Sequence, residues 1–125
     1  MVNLVIFAVD VNKVAAFYQA VLGVSPRPNP GDNKEDLRLC RANEEILIHS
    51  IPAHIAKTIK VQSPPIPRDE SAMKPIFDVE SLAESLAQVS NNGGVVTEMA
   101  FTLDGLTRHD VLDPEGNVIQ LRGSL

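Results

Sequence analysis

The chain opens with an apolar run that leads into a stretch of helical periodicity. Residues Leu4 to Val9 are rich in β-branched and aromatic side chains, which predicts a buried strand. Asp10 then stands where a helix N-cap belongs, because its carboxylate can accept from the free N–H groups of a first turn. Gly23 is a natural helix end. Between these two residues, apolar positions recur at helical spacing: Val11, Val14, Ala15, Tyr18, Val21 and Leu22.

Strand patterns follow this helix after a break. The stretch Ser25 to Lys34 holds three prolines and a glycine, so we predict a loop there. Two short strands are predicted around Leu37–Arg41 and Glu45–Ser50, with a turn at Ala42–Asn43 between them. The first part of the chain therefore has the order strand, helix, strands.

The second half repeats this order. Met73 to Phe77 is strand-like, and Asp78 is the predicted cap of a second helix that ends at Asn92-Gly93-Gly94. The apolar stripe of that helix is Val79, Leu82, Ala83, Leu86 and Val89. Three more strands are predicted after it, over Val95–Phe101, Leu106–Leu112 and Val118–Arg122.

Two further segments mark the turn before the last strand and the boundary between the two halves. Asp113 to Asn117 reads Asp-Pro-Glu-Gly-Asn, which predicts a tight turn because proline presets φ and glycine supplies the left-handed conformation. Ile51 to Lys60 has room for a short helix, and the proline-rich segment Gln62–Pro67 is typical of a connector. We therefore predict a single domain with module one at about 1–51, a connector at about 52–71 and module two at about 72–125.

The repeat predicts an α+β fold of two strand–helix–strands modules. The single helix of each module covers only one face of its sheet, so each module alone leaves the other face bare. Two modules together can enclose those bare faces. The central concavity between them is then the natural place for a ligand.

The composition of the chain argues against some classes of binding partner. The 125 residues carry a formal net charge of −5 without a basic cluster, which argues against nucleic acid. The apolar run Leu4 to Val9 is far shorter than the roughly 20 residues that span a bilayer, and from its flanking residues we expect no secretory leader. From the sequence we expect a cytoplasmic protein with no membrane partner.

The landmarks together resemble a known superfamily. Asp10, Phe17-Tyr18 and Leu22-Gly23 are similar to the first-module signature of the glyoxalase/bleomycin resistance/dioxygenase (vicinal oxygen chelate) superfamily. Asn92-Gly93-Gly94 and the Asp113–Asn117 turn, which is followed by Val-Ile-Gln-Leu, resemble its second-module signature. The resemblance implies two βαβββ modules around a concavity. It also implies a small-molecule ligand and a homodimer.

The resemblance further implies a set of four site residues. In metal-dependent members of this superfamily, the first and last strand of each module each supply one inward-pointing ligand. Carried over by spacing, these positions are Asn3, His49, Lys74 and Gln120. Gln120 is fixed by the adjacent turn, and Lys74 is counted back from the second helix.

The chemistry of these four residues suits an organic ligand better than a metal. An ammonium, an imidazole and two amides contain no anionic ligand, and Lys74 would repel a cation. They could instead receive a carboxylate, phosphate or enolate. We therefore predict a metal-free small-molecule-binding protein without a cofactor, whose ligand is an anionic metabolite or an antibiotic.

Two alternatives stay open at this level. One is a divalent-metal lyase, isomerase or dioxygenase, in which His49 and Gln120 bind the metal and Glu45 or one of His109 and Asp110 adds a ligand. His109 and Asp110 are adjacent on a strand, so at most one of them points inward. The other alternative is an interaction module without a small ligand, in which the two proline-rich segments form contact surfaces.

Overall fold

A computed structural model describes residues 2–68 and 72–125. For Val2 it describes the backbone alone. The last part of the predicted connector, 69–71, therefore lies outside the described residues. Module one, as the term is used below, comprises β1 (Val2–Ala8), α1 (Val11–Leu22), β2 (Ser25–Pro26), β3 (Leu37–Arg41) and β4 (Glu44–Ser50). Module two comprises β5 (Ile76–Ser81), α3 (Leu82–Asn91), β6 (Val95–Leu103), β7 (Leu106–Leu112) and β8 (Val118–Ser124). The short helix α2 (Ala53–Ala56) lies between them.

The two modules have the same sheet topology. Strand order is β1-β4-β3-β2 in module one and β5-β8-β7-β6 in module two. In each sheet the first strand pairs in parallel with the last one, and the remaining pairs are antiparallel. This arrangement confirms the predicted α+β fold of two βαβββ modules.

Helix α1 begins and ends where the sequence predicts. The Asp10 side chain accepts a hydrogen bond from the Lys13 amide at 3.1 Å. Gly23 takes the left-handed conformation at φ 73° and donates its N–H to the Gln19 carbonyl. A residue with a Cβ would be strained at that φ, so glycine is the favoured end of this helix.

The start of α3 differs from the prediction. Asp78 does not cap this helix: β5 continues to Ser81, whose hydroxyl accepts from the Glu84 amide at 3.3 Å. Ser81 and Glu84 have the spacing of a capping box, and Leu82 is the first helical residue. The Asp78 carboxylate instead accepts from the guanidinium of Arg122 at 2.6 and 3.0 Å. The apolar periodicity that seemed to include Val79 in the helix belongs to the end of a strand.

A common core holds both modules together. Helices α1 and α3 pack against each other and against their own sheets. The rings of Tyr18 and Phe77, one from each module, meet edge to face with centroids 6.3 Å apart. The fully buried large side chains come from both halves of the chain: Tyr18, Phe17, Leu39, Ile46, Ile48, Leu82, Ile119, Leu121, Val14, Val89 and Val111.

The predicted turn Asp113–Asn117 is present and joins the modules. The fully buried Asp113 carboxylate accepts from the Tyr18 hydroxyl at 2.8 Å and also from the Glu115 and Asn117 amides and the Asn117 side chain. Burial and the neighbouring Asp113 charge raise the pKa of Tyr18 well above its usual value. The phenol therefore stays neutral and remains the donor.

The same turn also caps the first helix from outside. The Glu115 carboxylate accepts from the backbone N–H groups of Val9 and Asp10, both at 2.8 Å. A carboxylate at a helix N-terminus interacts favourably with the helix dipole as well as with free N–H groups. A single turn of module two thus fixes the start of α1 in module one.

Candidate ligand-binding site

In module one the sheet face opposite α1 is open. Side chains alternate along a strand, so Ile6 and Ala8 point to the core, whereas Val5 and Phe7 point away and are 49% and 59% exposed. The strand register shows which residues of β3 and β4 lie on the same face as Val5 and Phe7. We call it the outer face of module one, and it consists of Asn3, Val5, Phe7, Arg38, Cys40, Glu45, Leu47 and His49.

Module two has the corresponding open face. Ile76 and Phe101 are 50% and 52% exposed, and the Arg108 guanidinium lies 5.7 Å from the centre of the Phe101 ring. The register of the four strands places the other members beside them. The outer face of module two consists of Ile76, Asp78, Phe101, Arg108, Asp110, Gln120 and Arg122, with Lys74 at its edge.

Three polar side chains meet on the outer face of module two. The Lys74 ammonium lies 2.9 Å from one oxygen of Asp110, and the Gln120 amide donates to the other oxygen at 3.1 Å. Asp110 and Gln120 are 8% and 4% exposed, whereas the side chain of Lys74 is 42% exposed. The Gln120 backbone donates to the Pro75 carbonyl at 2.9 Å, which fixes the edge strand against β8. We call Lys74, Asp110 and Gln120 the polar trio.

The polar trio leaves hydrogen-bonding capacity unused. An ammonium has three N–H donors, and Asp110 takes one from Lys74. An ionised carboxylate only accepts, so Gln120 must turn its NH₂ toward Asp110 and its oxygen away. That oxygen has no hydrogen-bond partner in the described part of the chain. The trio therefore offers a ligand both N–H donors and a carbonyl acceptor.

The two outer faces differ in charge. On module two the cations Lys74, Arg108 and Arg122 stand against the carboxylates of Asp78 and Asp110. The Arg122 guanidinium beside Asp78 holds the pKa of that carboxyl below its usual range, so this pair stays ionised. The outer face of module two therefore carries an excess of positive charge.

The outer face of module one is acidic by comparison. The guanidinium of Arg38 contacts both Asp32 and Glu45, at 2.7 and 3.0 Å. Asp36, directly before β3, is a further carboxylate, and it bonds to His49 on β4. Hydrogen bonds from Arg38 and from the Asn29 backbone lower the pKa of Asp32 to about 2.

Asn3 and His49 do not lie together. Asn3 is opposite Glu45 and His49 is opposite Phe7, so they are four residues apart along the paired strands, roughly 13 Å. Asn3 is exposed, and His49 bonds through Nδ1 to Asp36 at 2.7 Å. Of the four predicted site residues, the structure brings together Lys74 and Gln120 in one network. It does not bring Asn3 and His49 to each other.

The internal repeat identifies the residue of module one that is equivalent to Gln120. Val5 and Ile76 each lie five residues before the cap of the following helix, so they are equivalent. Val5 pairs with Leu47, and Ile76 pairs with Gln120. Leu47 is therefore the counterpart of Gln120, and His49 lies two residues further along β4. The sequence offers no landmark near β4 like the turn beside Gln120, so His49 was placed by spacing alone, and its role in a site stays a prediction.

His109 and Asp110, two of the further residues considered as metal ligands, point to opposite faces because side chains alternate along a strand. Asp110 points to the outer face, while the His109 ring bonds to the Thr97 carbonyl at 2.6 Å. Glu45 is on the outer face of module one, paired with Arg38. Sequence reasoning treated Asp110 only as a spare metal ligand and missed its central place in the polar trio. The available signal was a carboxylate directly before the apolar pair Val111-Leu112.

A divalent metal does not fit the residues present. Lys74 brings a positive charge to the position of one expected ligand, and its partner Asp110 is already engaged. Gln120 directs its NH₂ toward that carboxylate and so offers a cation only one neutral amide oxygen. In the parts of the chain that the structure describes, no group of three or more His, Cys, Asp or Glu side chains is arranged to hold an ion.

A cavity of about 370 Å³ adjoins the outer faces where the modules meet. Its walls are mainly apolar and include Val5, Phe7, Pro75 and Val118. Arg68 adds a polar group at this cavity. Because Pro75 is next to Lys74 and Phe7 is opposite His49, the cavity lies beside residues of both outer faces.

Comparison with solved structures agrees with this architecture. A glyoxalase/bleomycin resistance protein/dioxygenase family enzyme from Burkholderia phytofirmans PsJN superposes with a TM-score of 0.71 at 19% identity, over 98% of this chain and 97% of that one. A glyoxalase/bleomycin resistance protein from Albidiferax ferrireducens T118 gives 0.70 at 20% identity, over 100% and 98%. The chain has the glyoxalase/bleomycin resistance fold. A putative glyoxalase family protein from Bacillus anthracis shares this fold with a TM-score of 0.65 at 18% identity, over 100% and 94%.

Sequence comparison adds no closer relationship. No protein-family model matches the chain, and no curated protein matches it. In the described residues, none of the helices has the length and apolar character needed to cross a bilayer.

Proposed function

We propose that this chain is a small-molecule-binding protein of the glyoxalase/bleomycin resistance superfamily that works without a metal ion. The observation that supports this proposal is the polar trio, which lies among half-exposed apolar side chains on an otherwise open sheet face. Binding sites commonly combine apolar walls with a few fixed polar groups. Lys74 and Gln120 are then ligand-binding residues, and Asp110 holds them in place.

The ligand proposed for this site is a small anionic metabolite or antibiotic. Lys74 offers N–H donors to a carboxylate or enolate oxygen, and the positive excess on this face favours a negative ligand. The Gln120 oxygen accepts from a hydroxyl or amide next to that group. A molecule with a carboxylate and an adjacent hydroxyl, such as an α-hydroxy acid, satisfies both.

We further propose that the site is completed in a cytoplasmic homodimer. Val5, Phe7, Ile76 and Phe101 are each about half exposed in one chain, and burying them is favourable. The acidic outer face of module one complements the more basic outer face of module two. A twofold pairing that sets these faces against each other would bring Asn3 of one chain toward Lys74 and Gln120 of the other.

The two alternatives have less support. A metal-dependent lyase, isomerase or dioxygenase needs ligands that the polar trio does not supply. An interaction module without a small ligand would be favoured by a concavity filled with large apolar side chains. The outer faces are instead open and carry the polar trio.

Ligand binding can be tested by isothermal titration of metal-depleted protein with a panel of α-hydroxy acids. We expect saturable binding that weakens about tenfold or more in Lys74→Met, since a charge-assisted hydrogen bond is lost. Lys57→Met is the matched control, because Lys57 is exposed in the connector. Equal affinity in the wild type and in Lys74→Met would remove Lys74 from the site.

A further inference from the structure

Asp36 and His49 form a second polar pair, which lies in module one. Asp36 Oδ2 lies 2.7 Å from His49 Nδ1, and Asp36 Oδ1 accepts from the Ser50 amide at 2.9 Å. The Asp36 side chain is only 6% exposed. Both of its oxygens are therefore held in fixed positions against β4.

The ionisation of Asp36 determines which nitrogen of His49 carries the proton. Burial raises the pKa of the Asp36 carboxyl, but hydrogen bonds from Ser50 and His49 outweigh burial and hold that pKa below its usual value. Since a carboxylate only accepts, the neutral imidazole must place its hydrogen on Nδ1. The lone pair is then on Nε2.

The free nitrogen is presented in a defined orientation. The His49 ring stands at 73° to the Phe7 ring with centroids 5.3 Å apart, which adds a second contact that fixes its plane. No hydrogen bond to Nε2 comes from any residue in the described ranges 2–68 and 72–125. The His49 side chain is 34% exposed, so a small molecule can reach it.

His49 also lines an open cavity of about 630 Å³ with Glu35, Asp36 and Ser50. The charged side chains that line this cavity are both carboxylates, so it disfavours anions. A neutral molecule that carries an O–H group suits it better. The cavity is thus chemically different from the polar trio, which favours a negative ligand.

We propose that His49 is a general base for a neutral substrate bound in this cavity and that Asp36 is its positioning residue. His49 Nε2 takes a proton from water, or from a hydroxyl of the bound molecule, as that oxygen attacks a carbonyl carbon. For an ester, the oxygen forms a bond to the acyl carbon and the alkoxide or phenoxide leaves with its electron pair. The proton then passes from Nε2 to solvent or to the leaving group.

The activity test uses 4-nitrophenyl acetate, a neutral ester, with the full chain. We expect the second-order rate constant for release of 4-nitrophenolate to fall at least tenfold in His49→Gln and in Asp36→Asn. His54→Gln is the matched control, because His54 is exposed on α2, five residues away. An unchanged rate in His49→Gln would overturn the proposal.

The role of Asp36 needs a readout that does not depend on turnover. Nitrogen-15 NMR of the histidine ring should show the Nδ1–H tautomer in the wild type. In Asp36→Asn the carbonyl stays on the Ser50 amide and the NH₂ faces Nδ1, so the proton should move to Nε2. A wild-type ring with its proton on Nε2 would contradict the proposal even if His49→Gln failed to fold. Neither measurement depends on Lys74. The proposal for the anion site can therefore be wrong without affecting the proposal for His49.

Discussion

The two modules share one topology but place their polar side chains differently. Module two buries Asp110 and Gln120 within its outer face and Asp113 in its last turn. Module one keeps Asp36 and His49 at the start of β3 and the end of β4, and its corresponding β3–β4 turn is only Ala42 and Asn43. At the equivalent strand position, Leu47 in module one stands where Gln120 stands in module two.

The two copies of the repeated fold therefore have different roles. The long turn of module two binds Tyr18 and the start of α1, so it holds module one in place. In the described residues Ala42 and Asn43 make no hydrogen bond to module two, and the neighbouring Arg41 makes a single one, to the Asp78 carbonyl. Module two thus supplies the Asp113–Asn117 turn that connects the modules, which we call the joint, and the better organised ligand face.

The largest expected effect comes from breaking the joint. Asp113→Ala removes the acceptor of four hydrogen bonds and leaves the buried Tyr18 hydroxyl unpaired. We expect the free energy of unfolding to fall by about 3–4 kcal/mol. Urea denaturation measures this change, with Asn43→Ala in the short turn as the control. A loss below about 1 kcal/mol would show that the turn is not the joint.

The next effect concerns pairing between chains. Phe101→Asp places a carboxylate among the apolar side chains of the outer face of module two. If that face is buried in a homodimer, dimer affinity should fall by about 2–3 kcal/mol. Sedimentation velocity over a concentration series measures it, with Ile55→Asp on α2 as the control. A wild type that is monomeric at all concentrations would refute the homodimer.

A smaller effect is expected from exchanging the equivalent positions of the modules. Gln120→Leu removes the acceptor that the polar trio offers, so α-hydroxy acid binding should weaken about tenfold, or about 1.4 kcal/mol. Leu47→Gln is the matched control and should change binding less. If both substitutions weaken binding equally, the two outer faces contribute equally to the site.

The smallest expected effect is in the short turn. Ala42 has a φ of 39°, a left-handed conformation that disfavours residues with a Cβ. Ala42→Gly should therefore stabilise the protein by a few tenths to about 1 kcal/mol. Thermal unfolding measures this gain. A lower melting temperature would show that the flexibility of glycine in the unfolded chain outweighs the relief of strain.

The sequence predicted most of the fold because its landmarks are local. The Asp10 cap, the Gly23 end and the Asp113–Asn117 turn are each determined by a few adjacent residues. The cap of α3 was wrong because both Asp78 and Ser81 are good capping residues, and only the pairing of Asp78 with Arg122 across the sheet separates them.

The candidate site was less predictable because it depends on contacts between distant strands. Lys74 and Gln120 could be placed by counting from nearby landmarks. The carboxylate that links them, Asp110, is determined by strand pairing. His49 was placed two residues away from the counterpart of Gln120, since its strand has no fixed turn beside it. Its bond to Asp36 spans 13 residues and leaves no periodic signal.

The central claim is that the polar trio holds an organic ligand without a metal. The most direct measurement is isothermal titration of an α-hydroxy acid panel into the same protein with a chelator present and with a divalent ion added. We expect at least one acid to bind with the chelator present, and the added ion to leave its affinity unchanged. Binding that appears only with the divalent ion would show that the site needs a metal.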